Sequence, residues 1–242
     1  MSHLRLDQLL VNRGLAPSRE RAQSLILAGH VTVDGQLVSK SGTPINVKAE
    51  VQLIAPDHPY VGRGGIKLAH ALDKFTIKVN GCYALDIGAS TGGFTDVLLQ
   101  RGAEKIVALD VGHGQLDWNL RNNSKIVVIE GVNAKTLKPS DVPGPFDLIV
   151  IDVSFISLTK IFPVLPPLLK SKGEVIALVK PQFEAERAEL RKGIIRESSI
   201  HERILDTVTN AAAKVGLLRT CLTPSPITGA KGNQEFFLCL HQ

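Results

Sequence analysis

Cysteine is scarce in this 242-residue chain, and its arrangement suits neither disulfides nor metal. Cys82, Cys221 and Cys239 are three in number and far apart, so no disulfide framework of a small secreted domain can be drawn from them. No C-x-x-C pair or Cys/His cluster exists to hold zinc, and no structural metal is expected. Two of the three lie in apolar strand-like runs, where cysteine behaves as a small buried hydrophobe. Long apolar runs are also missing: nothing approaches the roughly 20 residues that a membrane-spanning helix needs. The stretch Met1-Ser2-His3-Leu4-Arg5-Leu6-Asp7 has no signal-peptide core, so a cytoplasmic protein with no membrane partner is expected. Internal repeats and low-complexity segments are absent as well.

What is present is the composition of a soluble globular protein, 44% hydrophobic and 21% charged. The length allows one large domain or a medium and a small one. The net charge of +5 is unevenly spread: residues 1–81 carry +4 and the remainder +1. A basic end on a nearly neutral body suggests a nucleic-acid-binding appendage on an enzyme.

Leu6, Leu9, Leu10 and Val11 have helical spacing, with Gly14 as a C-terminal cap. A second helix starts at Pro17-Ser18, carries Ala22, Leu25 and Ile26 on its apolar stripe, and ends at Gly29. Val31–Val33 and Gln36–Val38 flank Asp34-Gly35, a tight-hairpin dipeptide, and further strands are expected at Ile45–Val47 and Val51–Ile54. Arg5, Arg13, Arg19 and Arg21 fall on the polar faces, where guanidinium forks suit phosphate oxygens. The pattern from Arg5-Leu6-Asp7 through Ala28-Gly29-His30-Val31-Thr32-Val33-Asp34-Gly35 resembles the RNA-binding module named after ribosomal protein S4. That resemblance implies recognition of structured RNA, with Lys40 and Arg63 joining the four arginines in the expected RNA-binding set.

Beyond a proline-containing linker, strand-like runs recur at Tyr83–Ile87, Lys105–Asp110, Lys125–Glu130, Phe146–Asp152 and Gly173–Lys180. Helices between all five would give a doubly wound parallel sheet, and Gly216–Leu222 with Glu235–Leu240 would close it as an antiparallel pair. The first run feeds the turn Asp86-Ile87-Gly88-Ala89-Ser90-Thr91-Gly92-Gly93-Phe94-Thr95. Its glycines do not have the G-x-G-x-x-G spacing of a dinucleotide site, and Asp86 stands where a phosphate would be repelled. A cationic, phosphate-free nucleoside such as S-adenosylmethionine suits it better. Strand-end polar residues then line one end of the sheet. Asp110, with Val111 beside it, is expected to accept the ribose hydroxyls, and Asn133 to read adenine. Asp86, Gly88, Ser90, Gly92, Gly93, Phe94 and Asp152 complete the expected cofactor wall.

Lys180, at the end of a buried strand, is positioned to deprotonate a sugar hydroxyl, with Asp152 one strand away, Lys67 adding positive charge and Glu235 holding a lysine. These four positions resemble the Lys-Asp-Lys-Glu tetrad of FtsJ-type ribose 2′-O-methyltransferases. With the S4-like module in front, the chain resembles the TlyA family over essentially its whole length. The runs that carry this are Gly62–Leu68, Asp86–Thr95, Asp110–Leu116, Asp152–Leu158, Leu178–Phe183 and Gly232–Phe237. The resemblance implies a small α+β S4-like domain at 1–56, a linker at 57–62 and a Rossmann-like α/β methyltransferase domain at 63–242. It also implies S-adenosylmethionine as cofactor, 2′-O-methylation of cytidine in ribosomal RNA, and rRNA or a ribosomal subunit as partner. The extent of the chain resembles the shorter members, which modify 23S RNA only. Where some members have Arg-x-Trp-Val in the linker, this chain reads His58-Pro59-Tyr60-Val61, a departure bearing on how RNA binding couples to the cofactor. Family members also carry the name haemolysin, but the chain has no pore-forming segment. An RNA-binding assembly factor with an inactive methyltransferase fold is the alternative, disfavoured by an intact tetrad. The stretch 183–197 reads equally as a flap over the site or as an exposed helix and loop.

Overall fold

The computed structural model describes residues 3–27, 29–54, 58–229 and 232–242. Met1, Ser2, Ala28, the linker start Ala55–Asp57 and loop residues Ala230 and Lys231 lie outside the described residues. The chain divides into two compact units, Met1–Pro59 and Tyr60–Gln242.

In the first unit, β1 (His3–Arg5) leads into α1 (Leu6–Asn12) and α2 (Arg19–Leu27). β2 (Val31–Val33), β3 (Gln36–Leu37), β4 (Pro44–Asn46) and β5 (Val51–Leu53) follow. Gly14 at φ +69° turns the chain out of α1, and the Ser18 hydroxyl accepts the Arg21 N–H to start α2. Asp34 and Gly35 both have positive φ, the hairpin geometry that links β2 to β3. The sheet order β3-β2-β5 and the separate pair β1-β4 enclose Leu6, Leu10, Ile26 and Val31. β1 was not foreseen: a three-residue edge strand has too few positions to show a period.

The second unit opens with α3 (Arg63–Phe75) and then builds one seven-stranded sheet. Its strands are β6 (Tyr83–Ile87), β7 (Lys105–Asp110), β8 (Ile126–Glu130), β9 (Phe146–Ile151), β10 (Leu169–Val179), β11 (Leu218–Pro224) and β12 (Phe236–His241). They lie in the order β11-β12-β10-β9-β6-β7-β8, with β12 antiparallel to both its neighbours and the pairs from β10 to β8 all parallel. Alternation along the strands sorts side chains into two layers. Val175, Ala177 and Val179 face a core shared with α7 (Ser198–Ala213), while Ile176 and Leu178 face α3 and α4 (Gly93–Gln100).

The expectation of helices between all five leading strands is corrected. Only α4 and the short α5 (Trp118–Arg121) are α-helical there. β8 reaches β9 through two 3-10 turns, and β9 reaches β10 through three, at 158–160, 162–164 and 166–168. Pro139, Pro163, Pro166 and Pro167 lie in these turns and lack the N–H that a longer helix needs.

Candidate active site

All the parallel strands end on one side of the sheet, and the reversal of strand order falls between β6 and β9. Ligands of such sheets bind outside the carboxyl ends at this switch. A cavity of about 790 Å³ opens there, lined by Gly88, Asp110, Asn133, Asp152 and Phe155 among others. A smaller one of about 210 Å³, lined by Gly64, Gly93, Phe94, Asp152 and Lys180, lies against the same glycine turn.

The turn follows from its sequence. Gly88 has φ +87°, and a Cβ there would overlap the Asp152 carbonyl, so only glycine lets β6 leave the sheet this close to β9. Ser90 donates its N–H to Asp110 Oδ2 at 2.7 Å, and Gly112 donates to Oδ1 at 2.7 Å. The Asp110 carboxylate is thereby fixed at the cavity wall with lone pairs to spare. Val111 lines the same wall and is largely exposed. Asn133 also lines it, but its side-chain oxygen accepts the Lys135 N–H as a cap.

Two expected wall residues sit elsewhere. Gly92 caps α4 and packs against Leu116 and Leu120, lining neither cavity. Asp86 is fully buried, because the two-residue period of β6 directs it to the α4 face. There its Oδ2 accepts the Thr95 hydroxyl at 2.6 Å. Burial pushes its carboxyl up to about 7, and the charges of Asp152 and Asp110 add to this against the Thr95 hydrogen bond.

The four tetrad positions assemble through strand register. Val179 of β10 pairs with Phe236 of β12, so Lys180 and Glu235 stand opposite each other at adjoining strand ends, with Asp152 one strand further. Lys67 comes from α3, and its Nζ donates to Glu235 Oε2 at 2.5 Å, 168 residues away in sequence. The Lys67 and Glu235 side chains are 11% and 2% exposed, so this pair is nearly dry. Lys180 Nζ lies 2.6 Å from Asp152 Oδ1, an ion pair rather than an aligned hydrogen bond, and donates to Ser154 Oγ at 2.9 Å. The two pairs differ in access, because Lys180 and Asp152 line the smaller cavity and Lys67 and Glu235 do not.

Several site residues escaped the sequence reading. Ser154 and Phe155 lie in the Asp152–Leu158 run but carry no recognisable spacing of their own. Phe155 is 91% exposed at φ +64°, and its ring centroid is 5.0 Å from that of Phe183 at the cavity mouth. Glu184, in α6 (Pro181–Glu184), accepts from Ser157 Oγ at 2.6 Å and Leu158 N at 2.8 Å, fastening the loop that bears Phe155. Burial raises the Glu184 carboxyl above its ordinary value, against those two hydrogen bonds.

The expected RNA-binding arginines are held by their own unit. Arg5 and Arg19 both reach the buried Asp7 carboxylate, at 3.0 and 3.2 Å, and Gln23 donates to it at 2.9 Å. Arg13 donates to the Val47 carbonyl at 2.6 Å and Arg21 to the His58 carbonyl at 3.3 Å, while Lys40 is exposed. In the second unit Arg63 donates to the Thr228 carbonyl at 3.1 Å. Among the described residues no helix is long and apolar enough to cross a membrane, and no cluster of His, Cys, Asp and Glu could hold a metal.

A parallel sheet ending in an antiparallel strand, with a glycine turn and an acidic β7 terminus at the switch, is the methyltransferase class of fold. An N-methyltransferase NodS from Bradyrhizobium japonicum, solved with S-adenosyl-L-homocysteine, shares that fold at TM-score 0.53 and 13% identity, covering 75% of this chain and 89% of that one. Residues 60–242 match the FtsJ-like methyltransferase family and residues 4–51 the S4 domain. The 16S/23S rRNA (cytidine-2′-O)-methyltransferase TlyA of Mycobacterium tuberculosis is 42% identical over 98% of this chain and 89% of its own length. Hemolysin A of Brachyspira hyodysenteriae is 43% identical over 96% of this chain and 98% of its own. A solved structure from Streptococcus thermophilus, described provisionally as a haemolysin, superposes at TM-score 0.79 with 44% identity, covering all of this chain and 89% of that one. The chain belongs to the TlyA family of FtsJ-like methyltransferases.

Proposed function

We propose that the chain transfers a methyl group from S-adenosylmethionine to the 2′-oxygen of a cytidine in ribosomal RNA. The observation that carries this is the convergence of Lys180–Asp152 and Lys67–Glu235 at one sheet end, where Lys180 and Asp152 line the smaller cavity and Asp152 also lines the one of about 790 Å³. That cavity suits the cofactor in size and chemistry: Asp110 for the ribose hydroxyls, Asn133 and its neighbouring backbone for the base, and a glycine turn without a phosphate cradle. Bound there, S-adenosylmethionine supplies an electrophilic methyl group on a sulfonium. Lys180 is the side chain assigned to take the proton of the 2′-hydroxyl, acting as the neutral amine after its ammonium has released a proton to water; Asp152 and Ser154 hold Nζ in place and stabilise the ammonium that the transfer forms. Lys67 and Glu235 form the dry wall behind it and keep water from the reacting oxygen. The exposed ring of Phe155, backed by the half-buried ring of Phe183, offers a stacking surface for a base drawn out of its helix. In the first unit, Asp7 sets the Arg5 and Arg19 guanidinium groups side by side for RNA phosphates.

The test is transfer of labelled methyl from S-adenosylmethionine to ribosomal RNA and to isolated subunits. Wild type should label RNA at cytidine, and Lys180→Ala should lose most of that activity while still binding cofactor. Equal labelling by both would remove Lys180 from the chemistry. Cofactor binding with no labelling of any rRNA or subunit would favour an assembly factor instead. Mass spectrometry of 16S and 23S fragments then locates the modified nucleotide.

A further inference from the structure

One basic stretch of the second unit lies outside every role assigned above. Between α6 and α7, Arg191 and Ile194 exchange both backbone hydrogen bonds at 3.1 Å, closing a two-residue turn over Lys192 and Gly193. Both turn residues are left-handed, at φ +55° and +80°. Gly193 takes this conformation freely, whereas Lys192 does so only because the surroundings hold it. Arg191, Lys192 and Arg196 are exposed, and Lys192 and Arg196 make no hydrogen bond or ion pair among the described residues. Arg191 has one distant carboxylate, Glu197 at 3.9 Å, and Glu189 is engaged with Arg203. Three cations therefore face solvent, and the one acid paired with them among the described residues, Glu197, is held loosely.

The turn's mount is the opposite in character. Ile195 is 3% exposed within the core, and the Asn233 side chain, in a residue 2% exposed, accepts the Ile195 N–H at 3.1 Å and donates to the Gly193 carbonyl at 2.9 Å. Asn233 stands two residues before Glu235, and its carbonyl accepts the Gly229 N–H at 2.8 Å. A single buried amide thus ties an exposed basic turn to the segment that carries Glu235.

We propose that the turn Arg191–Arg196 is a phosphate-binding surface for the substrate RNA on the catalytic unit, and that Asn233 is the positioning residue that mounts it beside Glu235. This rests on the rRNA reading above. Exposed guanidinium and ammonium groups on a backbone-closed turn hold phosphates without reading sequence. Fixed to the loop before β12, they set the register of the strand whose ribose must reach Lys180.

The test uses the full chain, ribosomal RNA and ribosomal subunits, with affinity measured across a salt series. Arg191→Ala/Lys192→Ala/Arg196→Ala should bind RNA more weakly, and the slope of log affinity against log salt should fall by about two to three, at roughly 0.7–0.9 per lost phosphate contact. Cofactor affinity should not change. A control removing Lys78, Lys105 and Lys172, exposed at the other end of the sheet, should leave the slope as in wild type. Asn233→Ala keeps every charge, yet should lose much of the same slope because the mount is loosened. An unchanged slope in the triple variant, or an equal loss in the control, would overturn the surface. An Asn233→Ala protein with a lower Tm but a wild-type slope would overturn its positioning role. Wild type that methylates rRNA while the triple variant behaves normally would sink this inference alone; wild type that binds no rRNA would sink both readings.

Discussion

Replacing Glu235 by glutamine keeps the shape of the side chain and removes the only charge bonded to Lys67 among the described residues. The Lys67 side chain is 11% exposed, so its ammonium has little water to fall back on. Breaking a buried pair by removing one partner costs about 3–5 kcal/mol, and the residual exposure of Lys67 points to the lower end. In a unit of this size each kcal/mol lowers the midpoint by roughly 2–4 °C, so the transition of the second unit should fall by about 6–12 °C. Lys67→Met should cost a similar amount by stranding the carboxylate. The double variant should cost clearly less than the sum, by about 1.5 kcal/mol or more, since no charge is left alone. Stability and activity should then part: the double variant recovers part of the Tm and none of the methyl transfer. Calorimetry of the four proteins with labelled-methyl transfer to rRNA measures both. Additive losses below about 1 kcal/mol would mean the pair behaves as an exposed one. Full turnover by Glu235→Gln would remove that residue from the site.

Four further outcomes are expected. A Cβ at Gly229 would overlap the Glu235 carboxylate, so Gly229→Ala should push Glu235 off Lys67 and depress turnover more than cofactor affinity; equal kinetics would show that the loop yields freely. Asp86 has its folded pKa raised from 3.8 to about 7, so it favours folding below pH 4 and that contribution is lost as pH rises to about 7. Asp86→Asn should therefore flatten the decline of stability between pH 4 and 7, by up to about 4 kcal/mol, and an unaltered Tm–pH profile would refute the burial argument. In the first unit the Asp7 carboxyl is held well below its usual range by Arg5 first, then Gln23 and Arg19, against burial, so its contribution is present above the ordinary carboxylate pKa and lost as acid protonates it. Asp7→Asn should weaken both the fold of that unit and its RNA affinity, read by thermal unfolding and a salt series. Phe155 is 91% exposed, so Phe155→Ala should leave the unfolding free energy within about 0.5 kcal/mol of wild type yet raise KM for RNA; an unchanged KM would discard the stacking role.

The features that the sequence made legible are those written in short windows. Alternating apolar runs that end in Asp110, Asp152 and Lys180 announced the strands and the polar end of the sheet, and Asp34-Gly35 announced a hairpin. The same windows misled where proline replaced helix by 3-10 turns between β8 and β10, since apolar spacing alone does not register a missing N–H. They also gave no clue that Asp86, one residue of a two-residue period, turns its carboxylate to α4 rather than to the cavity.

By itself, then, the chain determined which chemical groups are available and at which strand ends they stand, because turn chemistry and hydrophobic period are local. Only tertiary structure decided who pairs with whom. Lys67 meets Glu235 because the register of β12 on β10 brings a strand end under α3, and Lys180 meets Asp152 because β9 and β10 are parallel neighbours. The basic turn at Lys192 reads as ordinary surface charge until Asn233, 40 residues beyond Gly193, is seen to hold it from below. A buried polar group must find its partner somewhere, and that partner's distance along the chain leaves no local mark.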